Sequence, residues 1–299
     1  MYTVNDFEGS RIDSYLVNVL DLSRSKIQKL VKEGKVFVNG KKVSSSYSVK
    51  LGDIIEVNND LSYEEDIVPE DISIDILYED DDLILINKKS GMVVHPAAGH
   101  SHGTLVNALL YRYPLKSGDP LRPGIVHRLD KDTSGVMMVA KNEWAQEKLS
   151  VMISKKEVER KYLAIVSGVI KNDSGTIDAP IGRDLNNRQK MTVTDVNSKN
   201  AITHFKVLER FQNHTLIECK LDTGRTHQIR VHMAYIGYPI FNDPLYGRGK
   251  GTEFGQMLHS YSIRFVHPRT GKELFYTVDP PKEFLEMLDE LKGQNLTDF

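Results

Sequence analysis

The stretch that decides the fold reads Gly124-Ile125-Val126-His127-Arg128-Leu129-Asp130-Lys131-Asp132-Thr133-Ser134-Gly135 and continues directly into Val136-Met137-Met138-Val139-Ala140. Two apolar segments, each typical of a strand, flank a polar loop that ends in a Thr-Ser-Gly turn. Such a loop can hold the Asp130 carboxylate at the edge of a sheet, and the cations Arg128 and Lys131 would keep it ionised. The pattern alone also fits a structural turn in which Asp130 and Thr133 cap backbone amides.

The composition is that of a globular protein, because 40% of the 299 residues are apolar and 27% are charged. The single cysteine, Cys219, excludes an intramolecular disulfide and a cysteine-rich zinc site, which fits a reducing cytoplasm. No segment resembles a secretory signal, and no apolar run approaches the roughly 18 residues of a membrane span. We therefore expect a cytoplasmic protein with no membrane partner.

The formal net charge of −2 hides an uneven distribution of charge along the chain. Residues 1–60 carry a net charge of +1, residues 61–82 carry ten acids and no base, and residues 83–299 carry a net charge of +7. We call residues 61–82 the acidic segment and predict that it is a solvated linker between two domains, at 1–60 and 83–299. The basic body can still attract a polyanion to one of its faces.

A small basic module is predicted at the N-terminus. Ser23 is a suitable N-cap for a helix over about residues 24–33, which Gly34 ends. A hairpin with an Asn39-Gly40 turn and a closing strand at residues 54–57 follow. The helix carries four cations, here called the basic helix face: Arg24, Lys26, Lys29 and Lys32. On residue types alone, such cations form a solvated surface more often than an RNA contact.

Further elements of the body are predicted from apolar patterning. They are a buried strand at residues 83–86, a helix at about 104–112, a strand at 160–166, and a strand joined through Thr223-Gly224 to a helix within 221–233. We expect an α+β fold in which a central mixed, largely antiparallel sheet is flanked by helices, with a small N-terminal α/β domain. The loop at 127–135 and the turn at 223–226 are expected to form a cleft.

Tyr162 and Arg225 are two further residues of interest. Tyr162 is the only aromatic residue of its predicted strand, and a core tyrosine is the default interpretation. Arg225 lies at the predicted opening of a helix, where the helix dipole is already positive. A cation at that place suggests a bound anion.

Two other chemistries are disfavoured by spacing. His95, His100 and His102 share a loop that contains no Cys, Asp or Glu, and they match no standard zinc pattern. Asp130 and Asp132 are too close in sequence to face each other across a sugar as the carboxylates of a glycosidase. We therefore expect neither a metal site nor a glycosidase pair.

Three segments, in this order, resemble the RluA family of large-ribosomal-RNA pseudouridine synthases, and its RluD-like branch most closely. They are His127-Arg128-Leu129-Asp130 with Thr133-Ser134-Gly135, Lys161-Tyr162-Leu163-Ala164, and Thr223-Gly224-Arg225-Thr226-His227-Gln228-Ile229-Arg230. The similarity spans about residues 80–280 and departs from the family at Asn242, where glycine is expected before a tight polar turn. Residues 11–58 resemble the small αL-type RNA-binding domain.

The resemblance implies a role for each of these residues. Asp130 would be the essential catalytic aspartate, Tyr162 the aromatic that stacks on the target base, and Arg225 the salt-bridge partner that orients Asp130. Arg128 would enter the RNA at the position that the flipped base leaves. The basic helix face would contact the RNA backbone.

The function that the resemblance implies is isomerisation of specific uridines, in large-subunit ribosomal RNA, without a cofactor and with base flipping. The target base must leave the stack, and an aromatic face returns roughly 1–3 kcal/mol per base. We expect RNA as the partner and a monomeric protein. Two competing hypotheses are a non-catalytic ribosome-associated RNA-binding protein and a nucleoside or glycoside hydrolase.

Overall fold

The computed structural model describes residues 2–5, 9–20, 24–58, 67–96, 101–113, 115, 123–187, 189–249 and 251–296. The chain divides into two compact units, Met1–Asp66 and Ile67–Phe299. Ser23, His100 and residues 61–66 of the acidic segment lie outside the described residues.

The first unit combines two helices with a four-stranded antiparallel sheet. Its elements are β1 (Tyr2–Thr3), α1 (Ile12–Val19), α2 (Arg24–Lys32), β2 (Val36–Val38), β3 (Lys41–Lys42) and β4 (Ile54–Val57), with strand order β1-β4-β2-β3. Ile12 and Leu16 of α1, Ile27 and Leu30 of α2, and Ile55 of β4 share one buried core. The apolar side of each helix therefore faces the sheet, as its spacing requires.

The hairpin of this unit has the predicted turn. Asn39 and Gly40 both have positive φ, 50° and 74°, as a type I′ turn between antiparallel strands requires. Of the basic helix face, only Lys32 has a described side chain, and it is exposed.

The second unit is built on a nine-stranded sheet. The unit as a whole has eleven described strands, nine in this sheet and two in a separate hairpin. They are β5 (Asp75–Glu79), β6 (Leu83–Lys88), β7 (Ser134–Ala140), β8 (Glu159–Ser167), β9 (Ser174–Asp178), β10 (Ile181–Arg183), β11 (Met191–Val193), β12 (Ile202–Arg210), β13 (His214–Leu221), β14 (Leu258–Val266) and β15 (Glu273–Thr277). Its helices are α3 (Leu105–Arg112), α4 (Glu143–Ser154), α5 (Gln228–Tyr235) and α6 (Lys282–Leu296).

The strand order of the large sheet is β5-β6-β7-β14-β8-β13-β12-β9, with β15 paired to β14, while β10 and β11 form a separate hairpin. Neighbouring strands are antiparallel except β7 and β14, which are parallel. The predicted α+β class, with a mixed and largely antiparallel sheet, is confirmed.

Helices cover both faces of this sheet. Leu105 and Leu109 of α3 share a core with Ile229 of α5, whereas Ala145 and Leu149 of α4 belong to a second core. Alternate residues of β6 enter the two cores in turn, so this strand is apolar throughout. None of the described helices has the length and hydrophobicity needed to cross a bilayer.

The predicted extent of the acidic segment is wrong at its C-terminal end. Strand β5 pairs with β6, so residues 75–79 belong to the sheet, and residues 80–82 form the turn that joins the two strands. Asp80 Oδ1 accepts hydrogen bonds from the backbone N–H groups of Asp82 and Leu83 at 2.8 and 2.9 Å and so stabilises the β5–β6 turn. Arg269 binds both oxygens of Asp82, at 2.5 and 2.7 Å. These acids are structural.

Residues 124–133, here called the aspartate loop, lead directly into β7. Strands β7 and β14 pair at two positions, at the start of each strand. Ser134 and Gly135 lie opposite His259 and Ser260. Gly135 has a φ of 113°, and a Cβ built on it would collide with the Ser260 backbone, so only glycine fits. The Ser134 hydroxyl and His259 Nδ1 form a hydrogen bond of 2.8 Å, which further fixes the end of the loop.

The strand predicted at the start of the aspartate loop, before His127, is not formed as a regular strand. Ile125 forms one isolated bridge with Val139 of β7. The chain bends at Gly124, whose φ is 74°, so a regular ladder does not extend from that bridge.

Candidate active site

A buried lysine anchors the aspartate loop. Lys88, the last residue of β6, is 1% exposed, and its Nζ donates to the carbonyls of Lys89, Met92 and Lys131 at 3.0, 2.9 and 2.9 Å. One of these acceptors belongs to the residue that follows Asp130. Burial lowers the pKa of Lys88 to about 7, and the charge of Asp130 opposes that shift. Sequence reasoning missed this residue because nothing in the local pattern marks it as buried.

The carboxylate of Asp130 is held through one oxygen. Arg230 Nη1 donates to Asp130 Oδ2 at 2.8 Å, and the two side chains are 5% and 17% exposed. The other oxygen, Oδ1, lies 3.9 Å from His227 Nε2. Asp130 therefore has a fixed orientation while Oδ1 lacks a short ion-pair contact.

Arg230 is itself fixed by a second carboxylate. Its Nε and Nη2 donate to Oδ2 and Oδ1 of Asp243 at 2.7 and 2.9 Å, and the Asp243 side chain is 0% exposed. Burial opposes both charges, but their pairing outweighs it, so the pKa of Arg230 is raised and the pKa of Asp243 is lowered. The bidentate pair aims the remaining donor of the guanidinium at Asp130.

The prediction that Arg225 orients Asp130 is wrong. Helix α5 begins three residues after Arg225, which stays in the preceding turn and donates from Nε to the Asn200 carbonyl at 2.9 Å. Arg230 lies within α5 and is the residue that reaches Asp130. Arg225 and Arg230 belong to the same sequence motif. Which of them reaches Asp130 depends on where helix α5 begins.

The turn after Asn242 is part of the site and not only a structural turn. Asn242 has a φ of 61°, a left-handed conformation that asparagine tolerates better than most residues. The chain therefore departs from the expected glycine without losing the turn. Asp243, the next residue, is the carboxylate that holds Arg230.

His227 links Asp130 to a neighbouring hairpin. It precedes α5 with φ 57° and ψ 20°, a strained conformation for a residue other than glycine. Its Nδ1 lies 2.9 Å from the hydroxyl of Tyr246, and that hydroxyl accepts a hydrogen bond from the Met191 N–H of β11 at 2.8 Å. Burial lowers the pKa of His227, and the charge of Asp130 opposes the shift. A neutral imidazole therefore lies beside the carboxylate at neutral pH.

A cleft of about 460 Å³ brings the predicted site residues together. Asp130, Arg128, Tyr162 and Arg225 all line it, and Arg128 is exposed. The aspartate loop forms one wall, and the turn at 223–226 forms another. The volume is that of a site for a small ligand or a single nucleotide.

Tyr162 belongs both to the core and to the cleft wall. It lies in β8 opposite Cys219 of β13 and Ser260 of β14, and it is 5% exposed. Burial raises the pKa of its hydroxyl, so the ring carries a neutral phenol at physiological pH. The strands on either side fix the backbone at this position.

The cleft carries a surplus of positive charge. Five cations line it, Arg128, Lys156, Arg160, Arg225 and Arg230, against the carboxylates Asp130 and Asp222. Lys156 pairs with Asp222 at 3.1 Å and Arg230 pairs with Asp130. Within the described part of the chain, the other three arginines form no ion pair. The surplus favours a polyanion over a neutral sugar.

The potential metal ligands that the described residues bring together lie away from this cleft. They are Asp80, Asp82 and His267. Arg269 occupies both oxygens of Asp82, so this group is bound within the protein. His102, one of the loop histidines, pairs instead with Glu70 at 3.0 Å.

The cleft wall at His127 leads to a pH prediction. His127 Nε2 accepts a hydrogen bond from the Met138 N–H at 2.9 Å, and burial, assisted by the charge of Arg160, lowers the pKa of His127 to about 3. The unfolded chain takes up this proton near pH 6.5, so the stability supplied by neutral His127 is present at pH 7 and is lost as the pH falls from 6.5 towards 3.

We expect the unfolding free energy of the unmodified protein to fall by about 3 kcal/mol more than that of His127→Gln between pH 7 and pH 4. Urea denaturation at both pH values measures the difference. Glutamine can still accept the Met138 N–H but does not titrate. Equal losses in the two proteins would contradict a neutral imidazole at this position.

Comparisons with known proteins agree with this geometry. Residues 82–235 match the family described as RNA pseudouridylate synthase, and residues 10–55 match the S4 domain. The uncharacterised RNA pseudouridine synthase YlyB of Bacillus subtilis is 50% identical over 289 residues, which cover 95% of this chain and 95% of that protein. The ribosomal large subunit pseudouridine synthase D of Pseudomonas aeruginosa is 43% identical over 300 residues, covering 95% of this chain and 92% of that protein.

A solved structure shows the same fold. Human RNA Pseudouridylate Synthase Domain Containing 1 is 26% identical with a TM-score of 0.55, and the match covers 74% of this chain and 95% of that one. The family and the small RNA-binding domain expected from the motifs are both confirmed. The chain therefore belongs to the RNA pseudouridylate synthase family of isomerases and carries an S4 domain ahead of its catalytic region.

Proposed function

We propose that this protein converts specific uridines of large-subunit ribosomal RNA to pseudouridine, with Asp130 as the catalytic residue. The relatives named ribosomal large subunit pseudouridine synthase D, including those of Xanthomonas campestris and Pseudomonas aeruginosa, align over 95% of this chain. The observation that carries the proposal is the Asp130 carboxylate, fixed by a buried guanidinium in the electropositive cleft that Tyr162 also lines.

The reaction needs only the groups that this cleft supplies. The bond between the anomeric carbon and ring nitrogen N1 breaks, the uracil turns, and ring carbon C5 bonds to the anomeric carbon. C5 loses its hydrogen as a proton and N1 gains a proton, so atoms and electrons balance without an oxidant, a reductant or water. The isomerisation is therefore proposed to need no cofactor.

Each site residue has one proposed role. Asp130 acts as a carboxylate, either by attack on the anomeric carbon or by removal of a neighbouring sugar proton. Arg230, and not Arg225, orients it. Tyr162 stacks on the flipped uracil, and Arg128 enters the RNA at the vacated position.

The competing functions lack support in the cleft. A hydrolase of the glycosidase type needs a second, separated carboxylate, and the other carboxylate of the cleft, Asp222, is bound by Lys156 at 3.1 Å. A non-catalytic binding protein has no need for the buried pairing of Arg230 with two carboxylates. That pairing costs desolvation free energy and is useful when it orients a reacting group.

Mapping pseudouridine in large-subunit ribosomal RNA tests the proposal. RNA from cells that lack the gene is compared with RNA from the parent strain and from cells that express the protein again. We expect defined pseudouridines to disappear and to return on re-expression. An unchanged pseudouridine map would contradict the proposed substrate.

The basic helix face is proposed to bind the RNA backbone, which leads to a prediction on salt dependence. Replacing its four cations with glutamine removes up to four phosphate contacts. The slope of log affinity against log salt concentration is then expected to fall by about 3, since each contact contributes roughly 0.7–0.9. Filter binding of the target RNA between low and moderate salt measures this slope.

The matched control removes four exposed lysines of the second unit that do not line the cleft: Lys171, Lys206, Lys272 and Lys282. This variant has the same net charge as the helix variant. A smaller change in slope for the control is expected. Equal changes in both would mean that the basic helix face is only a solvated surface.

We further propose that the protein acts as a monomer in the cytoplasm. Asp130, Arg230, Asp243 and Tyr162 all come from one chain, so the described site needs no residue of a second copy. Sedimentation of the purified protein at micromolar concentration, with a single species of 33.9 kDa expected, tests the monomer.

A further inference from the structure

Arg160 is a buried cation without a partner. It lies in β8 at 5% exposure, and none of the described side chains or carbonyls accepts a hydrogen bond from it or pairs with it. Its Nε is shielded from water and lacks an acceptor. Burying a guanidinium in this way costs the folded protein free energy, so the arginine needs another explanation than stability.

The surroundings of Arg160 place it in the wall of the reaction cleft. Along β8 it alternates with more exposed neighbours, as Tyr162 does, so the two side chains point to the same side of the strand. Both line the cleft. Gly224 lies against the guanidinium, since a Cβ built there would be 3.5 Å from Arg160 Nη1.

A second donor without an acceptor lies in the same wall. His127 Nε2 already accepts from the Met138 N–H, so the proton of the neutral ring is on Nδ1, and Nδ1 is buried and has no partner. His127 and Arg160 line the same cleft, and the charge of Arg160 helps to lower the pKa of His127. These two side chains therefore offer donors and positive charge to the cleft.

We propose that Arg160 binds a phosphodiester of the RNA immediately beside the uridine on which Tyr162 stacks. This proposal rests on the proposed function. Uracil and ribose are neutral, so the phosphates are the only anions that a flipped nucleotide brings into the cleft. A guanidinium fork binds two phosphate oxygens at once and regains there the hydrogen bonds it lacks in the free protein.

The first test separates a binding role from a structural one. Arg160→Met keeps much of the apolar stem and removes the charge. We expect its melting temperature without RNA to equal or exceed that of the unmodified protein, because an unpaired buried charge has been removed. A melting temperature several degrees lower would mean that Arg160 supports the fold, and it would overturn the proposal. Arg160→Lys, which keeps the charge without the fork, should bind RNA with intermediate affinity.

The second test measures coupling to one phosphate. The probe is a synthetic stem-loop of large-subunit RNA with a mapped target uridine, made with one neutral methylphosphonate 5′ of that uridine, 3′ of it, or four nucleotides away. Binding is measured in the Asp130→Asn background, with and without Arg160→Met. One adjacent neutral linkage should weaken binding about 10-fold or more when Arg160 is present, and the distant linkage should not.

Arg160→Met should bind the fully charged RNA about 10-fold more weakly and show no further loss with the neutral linkage. Arg264→Gln, an exposed arginine of β14 outside the cleft, is the control and should keep full sensitivity. The proposal is overturned if Arg160→Met binds the charged RNA normally or responds to the neutral linkage as before. The proposed function fails by a different result, namely absence of pseudouridine in this RNA after incubation with the unmodified protein.

Discussion

Asp130→Asn is expected to lower the rate of pseudouridine formation by roughly 10⁴-fold or more, because the variant lacks the carboxylate on which both routes depend. The amide still presents an oxygen to Arg230 Nη1, which lies 2.8 Å from Asp130 Oδ2. RNA affinity is expected to stay within about threefold, since phosphate contacts supply most of it. Single-turnover assays and equilibrium binding with the same RNA measure the two effects.

The loss in Asp130→Asn must be one of chemistry and not of folding. Arg230 keeps Asp243 as its buried partner, so the melting temperature should fall by only a few degrees. Asp132→Asn is the matched control from the same loop, and it should retain most of the activity because Asp132 does not line the cleft with Tyr162. Substantial turnover by Asp130→Asn would contradict the assignment of this residue.

Arg230→Gln is expected to cost both stability and activity. It leaves the carboxylate of Asp243 buried without its cation, which should lower the unfolding free energy by about 3–5 kcal/mol. It also frees Asp130, so kcat should fall by about 100-fold or more while KM changes little. Arg225→Gln is the matched control, since Arg225 donates to a carbonyl and not to Asp130. It should reduce RNA affinity more than kcat.

A double variant separates the two effects of Arg230. Arg230→Met combined with Asp243→Asn removes both buried charges, and it should recover a large part of the stability lost in Arg230→Gln. Turnover should stay low, because nothing then orients Asp130. Recovery of normal turnover in the double variant would mean that Arg230 acts only through the fold.

Local signals were sufficient to predict most of the fold. The strand beginning at Leu83 and the helix predicted at about 104–112 follow from apolar runs, and the structure has them at Leu83–Lys88 and Leu105–Arg112. The Asn39-Gly40 hairpin follows from the conformations these two residues prefer. The acidic strand β5 could not be recognised, because its charged residues are compensated by partners distant in the chain, such as Lys141 for Glu79.

The site was predictable in its residues but not in its pairings. Asp130 and Tyr162 were placed in one cleft from motif order, and the structure brings them there. The choice between Arg225 and Arg230 depends on where α5 begins, and that boundary follows the left-handed conformation of His227, which the sequence does not reveal. Lys88 and Asp243 contribute through burial, a property set by packing of elements far apart in the chain.

Release of tritium from RNA labelled at C5 of uridine tests the central claim most directly. The purified protein is incubated with unmodified large-subunit ribosomal RNA that carries this label. Because C5 exchanges its hydrogen for a bond to the sugar, tritium should appear in water in step with pseudouridine, and Asp130→Asn should release none above background. Retention of the label in the RNA, or its departure as free uracil, would contradict an Asp130-dependent isomerisation.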